Sequence, residues 1–170
     1  MPLTTKTGDE GWTRDGGSRR VRKDDVLIEA YGVLDELQCH LWWLAAVCPS
    51  HVAAMVARWH GVVTAAAETV WGRSPEVDSA MVRSLEDDIA AVLPDPPAGF
   101  VTPGGSEASS RAHLARVVCR TAERRVVAAM GIGAPALPVL NRLSDALFAL
   151  AVALGESGME SRSSQCRGSK

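Results

Sequence analysis

Apolar residues return every third or fourth position along most of the chain, which is the spacing of one helix face. The first run extends from Lys23 to about Val47, and a second follows Pro49-Ser50 and ends near Gly72. Glycine lacks a Cβ and therefore ends a helix easily. The pattern predicts two amphipathic helices, with apolar stripes formed by Leu27, Tyr31, Leu34, Leu37, Leu41 and Leu44, and by Met55, Trp59, Val62, Ala66 and Val70.

Helix-end signals divide the following residues into three further helices. Ser74-Pro75-Glu76 matches an N-cap, a first-turn proline and a first-turn acid, and the prolines within 94–97 end that helix. Ser106 is placed to cap a long fourth helix that ends at Gly131, and Pro138 begins the fifth. Their apolar stripes are Val77, Met81, Leu85, Ile89 and Val92; Ala115, Cys119, Ala122, Val126 and Ala129; and Leu140, Leu143, Leu147, Leu150 and Leu154.

Strand signals are nearly absent, because valine and isoleucine do not alternate with polar residues between hairpin turns. The sequence therefore predicts an all-α, five-helix up-and-down bundle over residues 23–154, within a single domain of residues 1–170. A glycine-rich N-terminal loop with almost nothing apolar to bury, residues 1–22, precedes the bundle. We expect the polar residues 155–170 to form a flexible tail.

Composition and charge narrow the functional classes. The 170-residue chain has a formal charge of −2 and thus no basic field to hold a nucleic acid or an acidic membrane. It opens without the pattern of a signal peptide, and no run approaches about 18 uninterrupted apolar residues. Its 4 cysteines are irregularly spaced and fit neither a disulfide framework nor a zinc site. We expect a cytoplasmic protein with free thiols and with neither a nucleic-acid nor a membrane partner.

The opening segment combines glycines, hydroxyl side chains and lysines. Small residues let backbone N–H groups approach phosphate oxygens, and Lys6 and Lys23 would add positive charge. The segment is not a P-loop, because no strand precedes it and no Gly-Lys-Ser/Thr sequence leads into a helix. On these residues alone, a flexible N-terminal arm is the alternative to a phosphate site.

Arginines recur at four-residue intervals on the predicted fourth helix. Arg116, Arg120 and Arg124 stack along one flank, where like charges repel. Glu123 is the nearest carboxylate that can compensate them. The alternatives are a solvated, salt-bridged face and a partly desolvated site. The site is favoured by Arg116 and Glu123, which lie at the edge of the apolar stripe.

Asn141 and Asp145 share a face of the fifth helix beside its leucine stripe. Polar groups there need partners, so the pair either orders helix packing or serves a functional site. Asp35 on the first helix raises the same question, and its alternative is an ordinary solvated carboxylate.

Five blocks of sequence, taken together, resemble the PduO-type ATP:cob(I)alamin adenosyltransferases. Their order and spacing match from about residue 4 to residue 154, which makes the match far more specific than any one block. The blocks are Thr5-Lys6-Thr7-Gly8-Asp9 with Lys23-Asp24-Asp25, Glu29 to Leu37, Phe100 to Gly105, Arg116 to Arg124, and Leu140 to Asp145.

The resemblance implies a ferritin-like bundle that assembles as a homotrimer, with each active site between neighbouring subunits. It implies that the 5′-deoxyadenosyl group of ATP is transferred to cob(I)alamin and that triphosphate is released. The implied small molecules are ATP, Mg²⁺ and cobalamin, and the implied protein partners are a cob(II)alamin reductase and an adenosylcobalamin-dependent enzyme. The nucleotide-binding residues implied by likeness are Thr5, Lys6, Thr7, Gly8, Thr13, Lys23, Arg120, Glu123, Arg124 and Asn141.

The resemblance implies catalytic roles for Arg120, Phe100, Asp35 and Arg116, and it assigns no metal ligand. Phe100 would lie below the cobalt, where an apolar ring keeps the lower axial position dry and makes cob(II) easier to reduce. Asp35 and Arg116 would pair across the subunit interface. Without the resemblance, core packing is the ordinary role of a phenylalanine.

Two departures from the family pattern keep other functions open. Thr121 stands where the family usually has a second arginine, and Arg14-Asp15 replace small hydroxyl or apolar residues. A relative that binds nucleotide or corrinoid without turnover, as a carrier or sensor, is the second hypothesis. A plain helical interaction module is the third, and it predicts no thermal shift with ATP.

Overall fold

A computed structural model describes residues 4–73, 77–99 and 101–167 of the chain. It confirms the predicted five-helix bundle and adds one short antiparallel hairpin ahead of it. The elements are β1 (Trp12–Arg14), β2 (Arg20–Arg22), α1 (Val26–Ala45), α2 (Ser50–Val70), α3 (Ser79–Val92), α4 (Glu107–Met130) and α5 (Leu137–Arg167).

Helix α4 lies between α1 and α5 and runs antiparallel to both. Along α1, Glu29 near the start lies 3.8 Å from Arg125 near the end of α4. At the other end, the Arg111 guanidinium lies 3.5 Å from the centre of the Trp43 ring. The N-terminus of α1 and the C-terminal half of α4 therefore meet at one end of the bundle.

The same end receives the start of α5 and the end of α2. Near the opposite end of α4, Ser109 Oγ donates to the carbonyl oxygen of Ala151 at 2.7 Å, so α5 begins beside the C-terminal half of α4. The ring of Tyr31 on α1 lies 4.3 Å from that of Trp71, which directly follows α2. This end of the bundle therefore carries the start of α1, the end of α2, the end of α4 and the start of α5, and the N-terminal arm sits on it.

The predicted apolar stripes form the core. Most of their members are buried, and each fully buried leucine or valine contributes about 1.5–3 kcal/mol relative to an exposed one. Tyr31 is the main exception in α1, because it is 39% exposed and stacks on Trp71 at the surface. The largest fully buried side chains are Trp59, Leu34, Leu37, Leu41, Leu44, Leu85, Leu140, Leu143, Leu147, Leu150, Val56 and Val63.

The predicted start of the third helix is wrong. Helix α3 begins at Ser79, and its N-cap is Asp78, whose carboxylate accepts from the backbone N–H groups of Ala80 and Met81 at 2.9 Å. An aspartate that satisfies two exposed donors fixes the helix start there. The predicted cap, Ser74-Pro75-Glu76, lies outside the described residues. The predicted cap of α4 is confirmed, because Ser106 Oγ accepts from the Ser109 N–H at 3.0 Å.

The arm is not loop throughout, as the sequence had indicated. Trp12–Arg14 pairs with Arg20–Arg22, and Val21 is buried beneath the hairpin. Strands of three residues are too short to display the alternation on which sequence-based strand prediction depends. Among the described residues of the arm, Val21 is the only buried apolar side chain.

Helix α5 continues to Arg167 and so includes most of the segment that we expect to be a flexible tail, whose flexibility stays a prediction. Each residue added to an existing helix gains one hydrogen bond without a new nucleation step, and no proline interrupts this segment. The Leu137–Gly155 part of α5 is long and apolar enough to span a membrane, and 56% of its apolar window is buried inside the bundle. Such burial is typical of a central helix in a bundle.

Candidate functional site

The N-terminal arm, together with Lys23, lines a cleft of about 760 Å³. Its lining combines backbone, hydroxyl groups and positive side chains, a combination suited to an anion. It includes four of the residues predicted to bind nucleotide: Thr7, Gly8, Thr13 and Lys23. The other lining residues are Trp12, Arg14 and Arg20.

Gly8 allows a close approach of the Lys23 side chain to the backbone of the arm. A Cβ on Gly8 would lie 3.1 Å from Lys23 Nζ and 3.2 Å from its Cε, so the end of the lysine would have to shift by a few tenths of an ångström. The backbone N–H of Lys23 also donates to the Gly11 carbonyl at 2.9 Å. Before this cleft, Thr5 and Thr7 share a hydroxyl–hydroxyl hydrogen bond of 3.0 Å, and Lys6 has a φ of 60°. The predicted arm residues are therefore adjacent and held by local contacts.

Asp15 organises the turn of the hairpin. Its carboxylate accepts from the N–H groups of Gly17 and Arg19 and from Arg19 Nε, at distances of 2.8–3.1 Å. Partial burial favours the neutral acid, but the hydrogen bonds from Arg19 and Gly17 outweigh it and lower the pKa of Asp15 below its usual value. Arg14 and Asp15 do not neutralise each other, since Arg14 Nη1 donates to the Ser18 carbonyl at 2.8 Å instead.

The hairpin is docked on the bundle through Gly16. A Cβ at this position would lie only 2.3 Å from the carbonyl oxygen of Trp71 and 2.5 Å from its Cδ1. Because Trp71 follows α2, this contact places the arm at the end of the bundle where α1 begins.

The three stacked arginines of α4 have different surroundings. Arg116 is half-buried, and among the described residues its Nε has no hydrogen-bond partner. Arg120 is exposed, and no ion pair joins it to another described residue. Arg124 donates to Thr121 Oγ1 at 3.0 Å. The threonine that stands where the family usually has a second arginine therefore restrains a neighbouring arginine.

Glu123 does not compensate those arginines, which corrects the sequence-based prediction. Its Oε1 instead accepts from Asn141 Nδ2 at 3.2 Å, because α5 brings the amide closer than any guanidinium of α4. Asn141 Oδ1 accepts in turn from Arg142, which pairs with Asp145 at 3.3 Å. Asn141 and Asp145 are thus linked through Arg142 rather than to each other.

Glu123 and Asn141 both face a recess of about 440 Å³ formed by the α4–α5 connection. Its remaining wall is mostly small and apolar, except that Ile132 is 91% exposed at its rim. The wall residues are Ile132, Gly133, Ala134, Pro135, Leu137 and Pro138. The recess therefore combines an apolar wall with one amide and one carboxylate, as pockets for small molecules commonly do.

Two of the predicted catalytic residues remain without a structural account in one chain. Asp35 is exposed on α1 and forms no ion pair with a described residue, so the predicted Asp35–Arg116 pair is not made within the chain. Phe100 lies outside the described residues.

Sequence reasoning missed a third cavity, of about 360 Å³, at the other end of α4. It is lined by the connection that flanks position 100 and by the end of the apolar part of α5, and most of its surface is apolar. His113, 5% exposed, lies in its wall, and Nδ1 has no partner in the described structure. Burial, and then the charge of Arg116, lower the pKa of His113 below its usual value. A histidine within an apolar helix pattern gives no sequence signal that distinguishes a cavity wall from core.

The α4–α5 recess and the cavity beside His113 lie along a single helix, α4. Glu123 in the α4–α5 recess is ten residues from His113, which corresponds to about 15 Å at 1.5 Å per residue. Arg116 and Arg120 lie between them on α4. No group of three or more histidine, cysteine, aspartate or glutamate side chains lies close enough to hold a metal ion within the part of the chain that the structure describes.

Known proteins with similar sequences agree on one family. The model of the cobalamin adenosyltransferase family matches residues 3–154. A cobalamin adenosyltransferase from Cupriavidus metallidurans is 37% identical over 92% of this chain and 89% of its own length. The corrinoid adenosyltransferase PduO of Citrobacter freundii is 34% identical over 89% of this chain, which spans 49% of that protein.

Solved structures give the same result. A variant of the PduO-type ATP:corrinoid adenosyltransferase from Lactobacillus reuteri, complexed with cobalamin and ATP, superposes with a TM-score of 0.83 at 27% identity. The superposition covers 91% of this chain and 91% of that one. The resemblance noted in the sequence is confirmed, and the chain belongs to the cobalamin adenosyltransferase family.

Proposed function

We propose that this protein transfers the 5′-deoxyadenosyl group of ATP to cob(I)alamin, forming adenosylcobalamin and releasing triphosphate. The observation that carries the proposal is the arrangement of the arm cleft and the α4–α5 recess at one end of the bundle. Each contains residues to which the family resemblance assigns the nucleotide. The relative that was solved with cobalamin and ATP supports this choice of substrates.

The arm cleft would bind the triphosphate. Lys23 presents an ammonium group beside the backbone of Gly8, and Thr7 and Thr13 add hydroxyl donors to the same lining. Hydrogen bonds from charged donors are about twice as strong as those between neutral groups. Lys6 is exposed on the loop that leads into the cleft and would add a second ammonium group.

The α4–α5 recess would bind the nucleoside. Its apolar wall suits a purine ring, and Asn141 and Glu123 supply a donor and acceptors for ribose hydroxyl groups. Arg120 and Arg124 are exposed on the same half of α4 and would reach the phosphates. The recess and the arm cleft have no lining residue in common. Because the family resemblance implies an active site between subunits, we propose that neighbouring subunits of a homotrimer complete each site.

The cavity beside His113 would bind the corrinoid. Pro97 and residues 101–105 line it, and the family resemblance assigns the neighbouring Phe100 to the corrinoid. A dry, unligated lower face would raise the reduction potential of cob(II), because no axial donor adds electron density to cobalt.

The chemistry needs positioning and charge stabilisation rather than a general base. Cob(I)alamin is itself a strong nucleophile, so the protein has to align cobalt with C5′ of ATP and stabilise the charge that develops on the leaving triphosphate. Mg²⁺ would neutralise part of that charge. Since the described residues contain no three-ligand cluster, the phosphate oxygens and water would supply most of its ligands.

The reaction also defines what must surround this enzyme in a cell. A reductase of cob(II)alamin has to supply the reduced substrate, and an adenosylcobalamin-dependent enzyme consumes the product. We place the protein in the cytoplasm, which agrees with the free thiols of Cys39, Cys48 and Cys119.

The test is an anaerobic assay of the full chain with ATP, Mg²⁺ and chemically reduced cobalamin, in which the light-sensitive Co–C bond is followed by absorbance. We expect turnover, and we expect Lys23→Gln to raise KM for ATP by about tenfold through loss of one charged contact. ATP-dependent thermal stabilisation without turnover would instead identify a carrier or sensor. No thermal shift with ATP would identify an interaction module.

A further inference from the structure

The hairpin presents all its long side chains on one face. In the antiparallel register, Trp12 is opposite Arg22 and Arg14 is opposite Arg20. Because side chains alternate between faces, these four residues project to the same side, and Val21 is buried on the other. The outer face therefore carries three guanidinium groups and one indole.

Only part of this positive charge is neutralised within the described structure. Arg22 forms a two-point ion pair with Asp24 at 2.6 and 2.7 Å. Arg20 lies 3.5 Å from Glu10 and 4.8 Å from the centre of the Trp12 ring. Arg14 has no carboxylate partner among the described residues and lies directly opposite Arg20. Like charges in such a cross-strand pair destabilise the hairpin.

We propose that Arg14, paired across the hairpin with Arg20, is an additional binding residue for the triphosphate of ATP and for the released inorganic triphosphate. The inference rests on the proposed function of the arm cleft, which both guanidinium groups line together with Lys23. A polyanion between the two arginines converts their mutual repulsion into two attractive contacts.

The turn holds Arg14 ready for this role. One nitrogen, Nη1, is fixed by the Ser18 carbonyl at 2.8 Å, and the remaining guanidinium N–H groups are available to phosphate oxygens. Ser18 has a φ of 66°, a conformation that non-glycine residues rarely adopt, and the carboxylate of Asp15 stabilises the turn around it. Relative to the family pattern, Arg14 thus adds a positive charge on the arm, whereas Thr121 removes one from α4.

Calorimetric titration of the full chain with sodium tripolyphosphate tests the proposal. Arg14→Gln should raise the Kd for tripolyphosphate about fivefold, and Arg14→Lys should restore part of the affinity. The matched control is Arg22→Gln, which removes another exposed arginine from the same face, one whose charge Asp24 already neutralises. We expect this control to remain within twofold of the wild type.

Thermal unfolding separates binding from a structural role of Arg14. Without anion, Arg14→Gln should have the same midpoint as the wild type or a higher one, because a repulsion is removed. With tripolyphosphate, its midpoint should rise less than that of the wild type. The proposal is overturned, with the proposed function intact, if Lys23→Gln weakens tripolyphosphate binding while Arg14→Gln leaves it within twofold. If the wild type binds neither tripolyphosphate nor ATP, both proposals fail.

Discussion

At the scale of single residues, Asp88 forms a polar tie between two helices. Its carboxylate accepts from Trp59 Nε1 at 2.8 Å and from Arg58 Nη2 at 2.7 Å, which joins α3 to α2. Trp59 is 1% exposed, so Asp88 is the acceptor that satisfies its buried indole N–H. A buried donor that loses its acceptor costs the full desolvation penalty of that group.

We therefore expect Asp88→Ala to lower the free energy of unfolding by about 2 kcal/mol. Urea denaturation monitored by tryptophan fluorescence measures this change. Asp87→Ala is the matched control, because Asp87 is an exposed neighbour without a hydrogen bond to any described residue, and its effect should stay within about 0.5 kcal/mol. Equal effects of the two substitutions would show that the tie adds nothing to stability.

His113 makes stability depend on pH. Burial and the neighbouring Arg116 lower its pKa in the folded state, so the unfolded chain binds a proton more readily. Stability is then fully present above the unfolded pKa of about 6.5 and is lost as the pH falls below it.

The expected result is a lower thermal midpoint at pH 5.5 than at pH 7.5, with a smaller difference in His113→Gln than in the wild type. The control is His51→Gln, which removes an exposed imidazole at the start of α2 instead of the buried one. An unchanged pH dependence in His113→Gln would show that the buried imidazole is not responsible.

At the scale of secondary structure elements, the sequence predicted the helices, because their apolar residues are periodic. It did not predict the features that depend on contacts between residues distant in the chain. Four of the five leucines in the α5 stripe are fully buried, as their spacing required. The partner of Glu123 was not predictable, because Asn141 reaches it only after α4 and α5 have packed. The hairpin was missed for a similar reason, since its position is set by Trp71 rather than by its own short strands.

Docking of the hairpin through Gly16 leads to a prediction for ATP binding. A Cβ in Gly16→Ala would clash with the Trp71 carbonyl at 2.3 Å, and a backbone oxygen at the end of a packed helix yields little. The hairpin has to shift, so KM for ATP should rise at least about tenfold while KM for cobalamin and the thermal midpoint of the bundle change little.

Gly17→Ala is the control for that substitution. Its added Cβ would meet only Asp15 Oδ1, at 3.5 Å, which is an ordinary contact. Steady-state kinetics with each substrate varied in turn distinguishes the two variants. A normal KM for ATP in Gly16→Ala would show that the arm tolerates displacement from Trp71.

At the scale of the whole molecule, several side chains on the surface of one chain are suited to contact a neighbouring subunit. Leu114 and Val117 on α4 are 48% and 52% exposed, and the half-buried Arg116 beside them leaves Nε without a described partner. Asp35 is an exposed carboxylate on α1 that no described residue pairs with. A neighbouring subunit of the proposed homotrimer would cover the apolar side chains and bring these opposite charges together. The resemblance implies this pair, which stays a prediction.

Reversal of the two charges tests the pairing directly. A charged group stranded at an interface costs about 3–5 kcal/mol, so Asp35→Arg and Arg116→Asp should each shift the protein from trimer towards monomer in sedimentation velocity. The double variant should recover the trimer if the side chains face each other across the interface, because the ion pair is rebuilt with its partners exchanged. Asp87→Arg, an equally large change on an exposed part of α3, should leave sedimentation unaltered. Trimers that persist in both single variants would contradict the pairing, whereas monomers in all three would place the two residues at separate contacts.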